Sequence, residues 1–354
     1  MPGRKVLQSG LVITSGRVAM ENLIALTSEA LQELDAFVPA EARRVVARNP
    51  VVHGVVRRGG TGNFVTVTVR LDGSEPLRLD KPALDRVANL THVPLGLLAE
   101  LPDEVVAQAL NAQLRRHWSW FTHALVYQDR VIEWIAPGWA EMSLNPSDVV
   151  RTCALALGEQ PLLRWPPPSR WPDLRFLLTT NELAHVFQAS PRANDRHHFF
   201  IRVQVNLNGW GLPQVEAVSH RLVCRNGMTV SLPAAGSRQK LAARTSKMLL
   251  EKLRDASFET LGYIRTVFIP AIESSLNVRA DVEQLIQRLP RQVAALVSRA
   301  YQAEDLRGTK YHLVNALTRA ANSEACPEEW RERLMGLAGQ LTVGRRCWAC
   351  LRRL

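Results

Sequence analysis

The residues of this 354-residue chain best suited to nucleophilic or metal chemistry are its nine histidines and five cysteines, and their spacing limits what they can do. Cys224 follows His220 by four residues in an alternating run. Along a strand that is about 13 Å, too far for a direct thiol–imidazole hydrogen bond. A thiol nucleophile there would need a histidine from elsewhere, with His185, His197 and His312 as candidates; a buried structural thiol is the simpler reading, as it is for Cys153. His197-His198 is a tandem pair, but adjacent strand residues face opposite sides, which argues against a shared metal. Cys347 and Cys350 form a C-x-x-C at the terminus without a second pair to complete a four-ligand zinc site. There is no H-E-x-x-H, P-loop or serine-hydrolase elbow, and no carboxylate spacing that implies a two-metal nuclease. The reading is therefore of no catalytic residue, no metal and no cofactor. A nuclease with dispersed acids or a thiol enzyme using Cys224 is the enzymatic alternative.

Charge gives a stronger signal. Arg221 to Leu354 holds 22 basic and 12 acidic residues, whereas the first 220 residues hold 22 and 21, so nearly all of the net charge of +11 lies at one end. Such asymmetry favours a polyanionic partner, nucleic acid before an anionic membrane. On a helix expected over 237–258, Lys240, Arg244, Lys247 and Arg254 fall in one stripe, with Glu251 as the acid among them. Leu241, Met248, Leu249 and Leu253 gather on the far side, toward a core. On the preceding strand Arg221 and Arg225 share a face with Val223 and would extend the positive surface. Six such cations could neutralise phosphates, and Trp118, Trp120, Trp134 and Trp139 could stack on bases where they are not core. The bland reading is a solvated helix face.

The elements that must position these groups are legible in the hydrophobic periodicity. Ile201, Val203, Val205 and Leu207 alternate with Arg202, Gln204 and Asn206, the mark of a strand with one buried face. A second run, Val218 to Cys224, ends at the turn signal Asn226-Gly227. Residues 51–58 and 63–71 flank Gly59-Gly60-Thr61-Gly62 as a hairpin; a phosphate cradle would lead into a helix instead. Further expectations are a helical pattern over 21–37, two helical pieces over 81–117 broken at Pro94 and Pro102, strands at 121–127 and 131–135, and a short helix over 145–157. From Ser237 onward helices are expected over 237–258, 259–275, 279–302, 309–322 and 327–341, with breaks or kinks at Pro270 and Pro290. The fold class is α+β, β-rich in its N-terminal and central regions and helical in its C-terminal third. Residues 1–45 read as a partly helical extension, 46–232 as an α+β core region with a proline-rich break at 160–172, 233–342 as a basic helical region and 343–354 as a basic tail. An odd cysteine count, no long apolar run and no signal-like N-terminus point to a cytoplasmic, reducing location without membrane contact.

The pattern VQVNLNGWG followed by HRLVCRNGMTV resembles the phage/plasmid-like family called domain of unknown function 932, through Arg221, Leu222, Val223, Cys224, Asn226, Gly227 and Met228. YHLVNALTRAAN resembles that family's later helix through Asn315, Ala316 and Thr318, and the segment 77–101 resembles its helix-and-proline stretch. The resemblance implies an α+β protein of a mobile element or its host, and it brings no established catalytic residues. The expected role is non-enzymatic binding of nucleic acid, single-stranded DNA first, in replication, recombination or defence. The alternative is an interaction protein that assembles as a homo-oligomer without affinity for nucleic acid.

Overall fold

The alternating runs sort into two sheets in the computed structural model, which describes residues 23–36, 42–47, 50–58, 64–72, 74–92, 94, 100–139, 142, 144–164, 173–187, 196–222, 229–303 and 308–344. The larger sheet has the order β1 (Ile24–Ala25), β8 (Leu162–Arg164), β9 (Asp173–Thr179), β11 (Arg196–Asn206), β12 (Gln214–Leu222), β13 (Thr229–Pro233). β10 (Ala184–Val186) adds to β11, and β14 (Gln239–Lys240) adds to β12; every pairing is antiparallel. The smaller sheet runs β2 (Arg43–Val46), β6 (His123–Tyr127), β7 (Arg130–Trp134), β5 (Leu77–Leu79), β4 (Phe64–Arg70), β3 (Val51–Arg58), with β5 and β7 parallel.

Each sheet buries one face under helices. In the larger sheet Phe199, Ile201, Val203 and Val205 of β11 meet Leu174, Phe176 and Leu178 of β9 and Val215 and Ala217 of β12 in a single core. That core is shared with α1 (Ser28–Asp35), α4 (Pro146–Ala154), α5 (Ser246–Tyr263), α6 (Ile269–Ser275), α7 (Val282–Ile286), α8 (Arg291–Gln302), α9 (Lys310–Ala321) and α10 (Glu328–Thr342). Each fully buried Leu, Ile or Phe contributes about 1.5–3 kcal/mol of transfer free energy, so the shared core binds helices and sheet as one body. In the smaller sheet Val67, Val69, Leu71, Val126 and Val131 pack against Val87 of α2 (Lys81–Thr91) and against Val106, Leu110 and Leu114 of α3 (Asp103–Arg116). The smaller core draws on residues 47–134, with Trp210 packed against it, and lies within the chain of the larger core, which takes α1 before it and Met142 onward after it. The strands on either side of the proline-rich stretch pair with each other, Leu162 to Thr179 and Leu163 to Leu178, so that stretch connects neighbours within one sheet. Residues 165–172 themselves, with Trp165, Trp171 and Pro166–Pro168, lie outside the described residues. The loop 59–63 also lies outside them, although β3 and β4 pair up to Arg58 and Phe64, as a hairpin requires.

Several elements differ from expectation, each for a local reason. β12 begins at Gln214, four residues early, and after residues 223–228 the chain returns as β13 rather than entering a helix. The basic helix starts at Ser246, not 237. Lys240 is held in β14 by its pairing with Gln214, and Thr245 caps the helix by accepting the Met248 N–H at 3.2 Å. Pro270 falls in the first turn of α6, and just before it the α-helical ladder gives way to a wider π turn over Ile264–Phe268 that joins α5 to α6, giving room for a residue that has no N–H and would crowd the carbonyl four positions back. Pro290 does separate α7 from α8. In the N-terminal region α1 covers only Ser28–Asp35 of the expected helical pattern, after β1. Among the described residues no helix is long and apolar enough to cross a membrane.

Candidate nucleic-acid interface

The second face of the larger sheet is divided: Leu177, Phe200 and Val218 are buried there in a small apolar cluster, and toward the Asn206 end of β11 it carries polar and cationic groups. Arg175 on β9 stands directly opposite Gln204 on β11, Gln204 opposite Gln214 on β12, and Gln214 opposite Lys240 on β14. Paired residues project to the same side, so the four form one row across four strands, roughly 14 Å at the usual strand spacing. Arg175 and Lys240 are exposed and the two glutamines half-buried. Two residues along, Arg202 and Glu216 face each other, and Arg238 reaches the same carboxylate, its Nε donating to Glu216 Oε2 at 3.0 Å. This face therefore sets four cations, Arg175, Arg202, Arg238 and Lys240, beside two carboxylates, Glu216 and, two residues from Arg175 on β9, Asp173.

Beside the row, at the ends of β11 and β12, the loop Asn206-Leu207-Asn208-Gly209-Trp210-Gly211 clasps the two sheets together. Asn206 Oδ1 accepts from the backbone N–H of Asn208 and of Trp210, both at 3.0 Å, and its Nδ2 donates to Asp173 Oδ1 at 2.7 Å. Asn208 accepts the Ala136 N–H through its carbonyl at 2.9 Å. Gly209 has φ +81°, and a Cβ there would lie 2.1 Å from Trp139 Cγ, so only glycine fits. Trp210 Nε1 donates to the Trp134 carbonyl, at 2.5 Å. Its ring lies 6.1 Å from that of Trp120 with 15° between the planes, and the Arg86 guanidinium sits 4.8 Å from its centroid. Arg86 also pairs with Glu133 at 3.3 Å. Burial pushes the Glu133 carboxyl up to about 7, against the opposing pull of Arg86. Trp210 joins Arg175, Gln204 and Gln214 in lining a small pocket of about 120 Å³. Trp120 is 44% exposed, so an accessible indole is stacked on the tryptophan that borders the polar row.

The expected site residues divide between this surface and the interior. Lys240, Arg244, Lys247 and Arg254 are all exposed, but only Lys247 and Arg254 lie on the helix; Lys240 is on the sheet edge and Arg244 in the connection. Lys240, Arg244 and Lys247 make no ion pair among the described residues, whereas Arg254 holds Asp255 at 3.0 Å. Leu241, Leu249 and Leu253 are buried as expected, and Met248 is 40% exposed, on the side opposite to that expected. Arg221 belongs to the other face. It pairs with His197, is 4% exposed, and lies 5.3 Å from the Tyr311 ring of α9, so it supports the core and does not extend the positive surface. Arg225, Cys224, Asn226, Gly227 and Met228 lie outside the described residues, as do Cys347 and Cys350 and the side chain of Trp118. Asn315 and Thr318 are buried on α9, where Thr318 Oγ1 donates to the Asn315 carbonyl at 2.9 Å. Of the other tryptophans, Trp134 is fully buried and Trp139 is half-buried beneath Gly209. Arg175, Gln204, Gln214 and Trp210 were not singled out by spacing. Their joint position depends on register among strands up to 65 positions apart, and the outward phase of Arg202 and Gln204 was the single trace in the sequence.

Four histidines, His197, His198, His220 and His312, sit in buried networks. His197 Nδ1 is 2.8 Å from Ser219 Oγ and its Nε2 2.8 Å from Tyr311 OH, on the helical side. His198 faces the opposite side, 3.2 Å from the Thr180 carbonyl, as the alternation required. There it stands opposite His220, whose Nδ1 is 3.2 Å from Arg164 Nη1. Burial, reinforced by Arg164, drops His220 to about 3, so it stays neutral. His312 Nδ1 meets Thr309 Oγ1 at 3.0 Å, and His185 pairs with Glu273 at 3.1 Å. Burial raises the Cys153 thiol to about 12, which leaves it unreactive. Among the described residues no group of three or more His, Cys, Asp or Glu is placed to hold a metal. Compared with family models, curated proteins and solved structures, the chain matches none.

Proposed function

We propose that this protein binds single-stranded nucleic acid, DNA first, on the outer face of the larger sheet. The observation that carries the reading is the in-register row Arg175–Gln204–Gln214–Lys240 running beside the Trp210–Trp120 stack. A strand laid along it meets cations for its phosphates, carboxamides for base edges and an exposed indole for stacking, the combination such binders use. From Lys240 the positive surface continues through Arg244 to Lys247 in the first turn of α5, a turn without any acidic residue. A lysine there opposes the helix dipole, at a cost of about 0.3–1 kcal/mol, and a docked phosphate relieves that opposition. The likeness of the RLVCRNGM segment to phage and plasmid proteins supports a setting in a mobile element or its host, in replication, recombination or defence. The test compares the wild-type protein with Lys240→Ala and Trp120→Ala in titrations of a labelled single-stranded oligonucleotide. Both side chains are exposed, so folding should survive both changes. Loss of the stack is expected to weaken binding about 5- to 150-fold, in line with about 1–3 kcal/mol per stacked base. Affinity unchanged in both variants would remove the sheet face from the account.

A further inference from the structure

A larger cleft opens one row away, between the turn that follows β13 and the helices α9 and α10, with a volume of about 460 Å³. Its sheet wall is built around Glu216, which is buried at 3% exposure and holds two guanidinium groups. Arg202 contributes Nε at 2.7 Å and Nη2, and Arg238 contributes Nε at 3.0 Å and Nη2 at 3.4 Å. Nη1 of each arginine is uncommitted among the described residues. A buried carboxylate thus fixes two forks side by side, and the three groups together keep a single positive charge. The opposite wall carries Arg331, anchored to the Cys326 and Ser323 carbonyls and to Glu328, together with Met335, Asn322 and the exposed carboxylate of Glu332, which keeps the phosphate to the Arg202–Arg238 side. Asn322 Nδ2 is taken by the Thr318 carbonyl at 2.7 Å, which leaves Oδ1 as an acceptor.

Paired, pre-oriented guanidinium groups match the planar donor geometry that phosphate oxygens accept, and fixing them in advance removes the ordering cost of binding. A lone oxyanion would leave most of this volume empty, since clefts of about 300–1,000 Å³ take whole small molecules. The remaining wall suits a flat ring: a flexible thioether for its face and a carboxamide oxygen for an exocyclic amine. We infer that this cleft binds one nucleotide, its phosphate held by Arg202 and Arg238 and its base against Met335 and Asn322. Arg202 and Arg238 share the outer sheet face one row from Arg175–Lys240, and Asn322 and Met335 come from the α9–α10 side, so the cleft and the row can be separated by variants that touch only one of them.

The full-length protein would be titrated by calorimetry with adenosine 5′-monophosphate and with adenosine. Saturable binding of the monophosphate, absent for adenosine, is expected, and Arg238→Ala should weaken it about tenfold or more through loss of a charge-assisted contact. Arg238 is 54% exposed and Arg202 stays on Glu216 in that variant, so the fold is kept. Lys240→Ala should leave the affinity for monophosphate unchanged while weakening the polymer. Competition by a 5′-phosphorylated oligonucleotide but not its 5′-hydroxyl twin would identify a strand end as the source of the phosphate; competition by neither would identify the free nucleotide. No saturable binding of the monophosphate, an unaltered Arg238→Ala, or an equal loss in Lys240→Ala would overturn the inference.

Discussion

Glu133 is a carboxyl group at 1% exposure beside the junction of the two sheets, and its protonation links the fold to pH. Its ordinary value of 4.5 rises to about 7 in the folded protein, chiefly through burial. Between those two values the folded state keeps a proton that the unfolded chain has released. The stabilising contribution is therefore full below pH 4.5 and declines as pH rises through about 7, by about 3 kcal/mol at most. Glu133→Gln should flatten that decline in urea melts repeated across pH 5–8. His220 works in the opposite sense: held neutral with a value near 3, it loses stability as pH falls below its ordinary 6.5. Neither shift was legible in the sequence, because burial of Glu133 follows from packing between two distant segments. The alternation of residues 201–207 and the opposite facing of His197 and His198 were legible, since period two fixes which way each strand residue points.

At the scale of elements, the loop of residues 206–211 joins the sheets by hydrogen bonds from Asn206, Asn208 and Trp210 and by the close approach of Gly209 to Trp139. Gly209→Ala places a methyl group against an indole in a left-handed backbone conformation. We expect it to cost about 2 kcal/mol or more in chemical denaturation, and near-wild-type stability would mean the clasp is not rigid. The approach of α10 to β13 is similarly tight, since a Cβ on Gly339 would meet the Pro233 carbonyl oxygen at 2.3 Å. Gly339→Ala should destabilise by about 1–3 kcal/mol, despite the gain in helix propensity, because that oxygen belongs to backbone. The helices over 310–321 and 328–342 followed from their apolar spacing to within a residue or so, whereas the start of α5 did not. Residues 237–245 have helical composition, but pairing of Gln239 and Lys240 with β12 overrides that preference.

For the whole molecule, the C-terminal excess of charge does not sit on one helical ridge. Arg221 turns inward, Lys240 joins the sheet, and Lys247 and Arg254 remain on the helix. The sequence could place these cations near one another along the chain but not on faces, because face depends on register and on which side of the sheet the helices cover. The central claim is that the outer sheet face holds a phosphate backbone. Its most direct test is the salt dependence of single-strand binding for the wild-type protein, Lys240→Glu and Arg221→Ala. Contacts from Arg175, Lys240, Arg244 and Lys247 predict a wild-type slope of log affinity against log salt of roughly −3, at about 0.7 per phosphate on single strands. Lys240→Glu should reduce that slope by about 1 or more, while Arg221→Ala should lower thermal stability and leave the slope unchanged. A flat salt dependence, or a slope altered by Arg221→Ala and not by Lys240→Glu, would contradict the account.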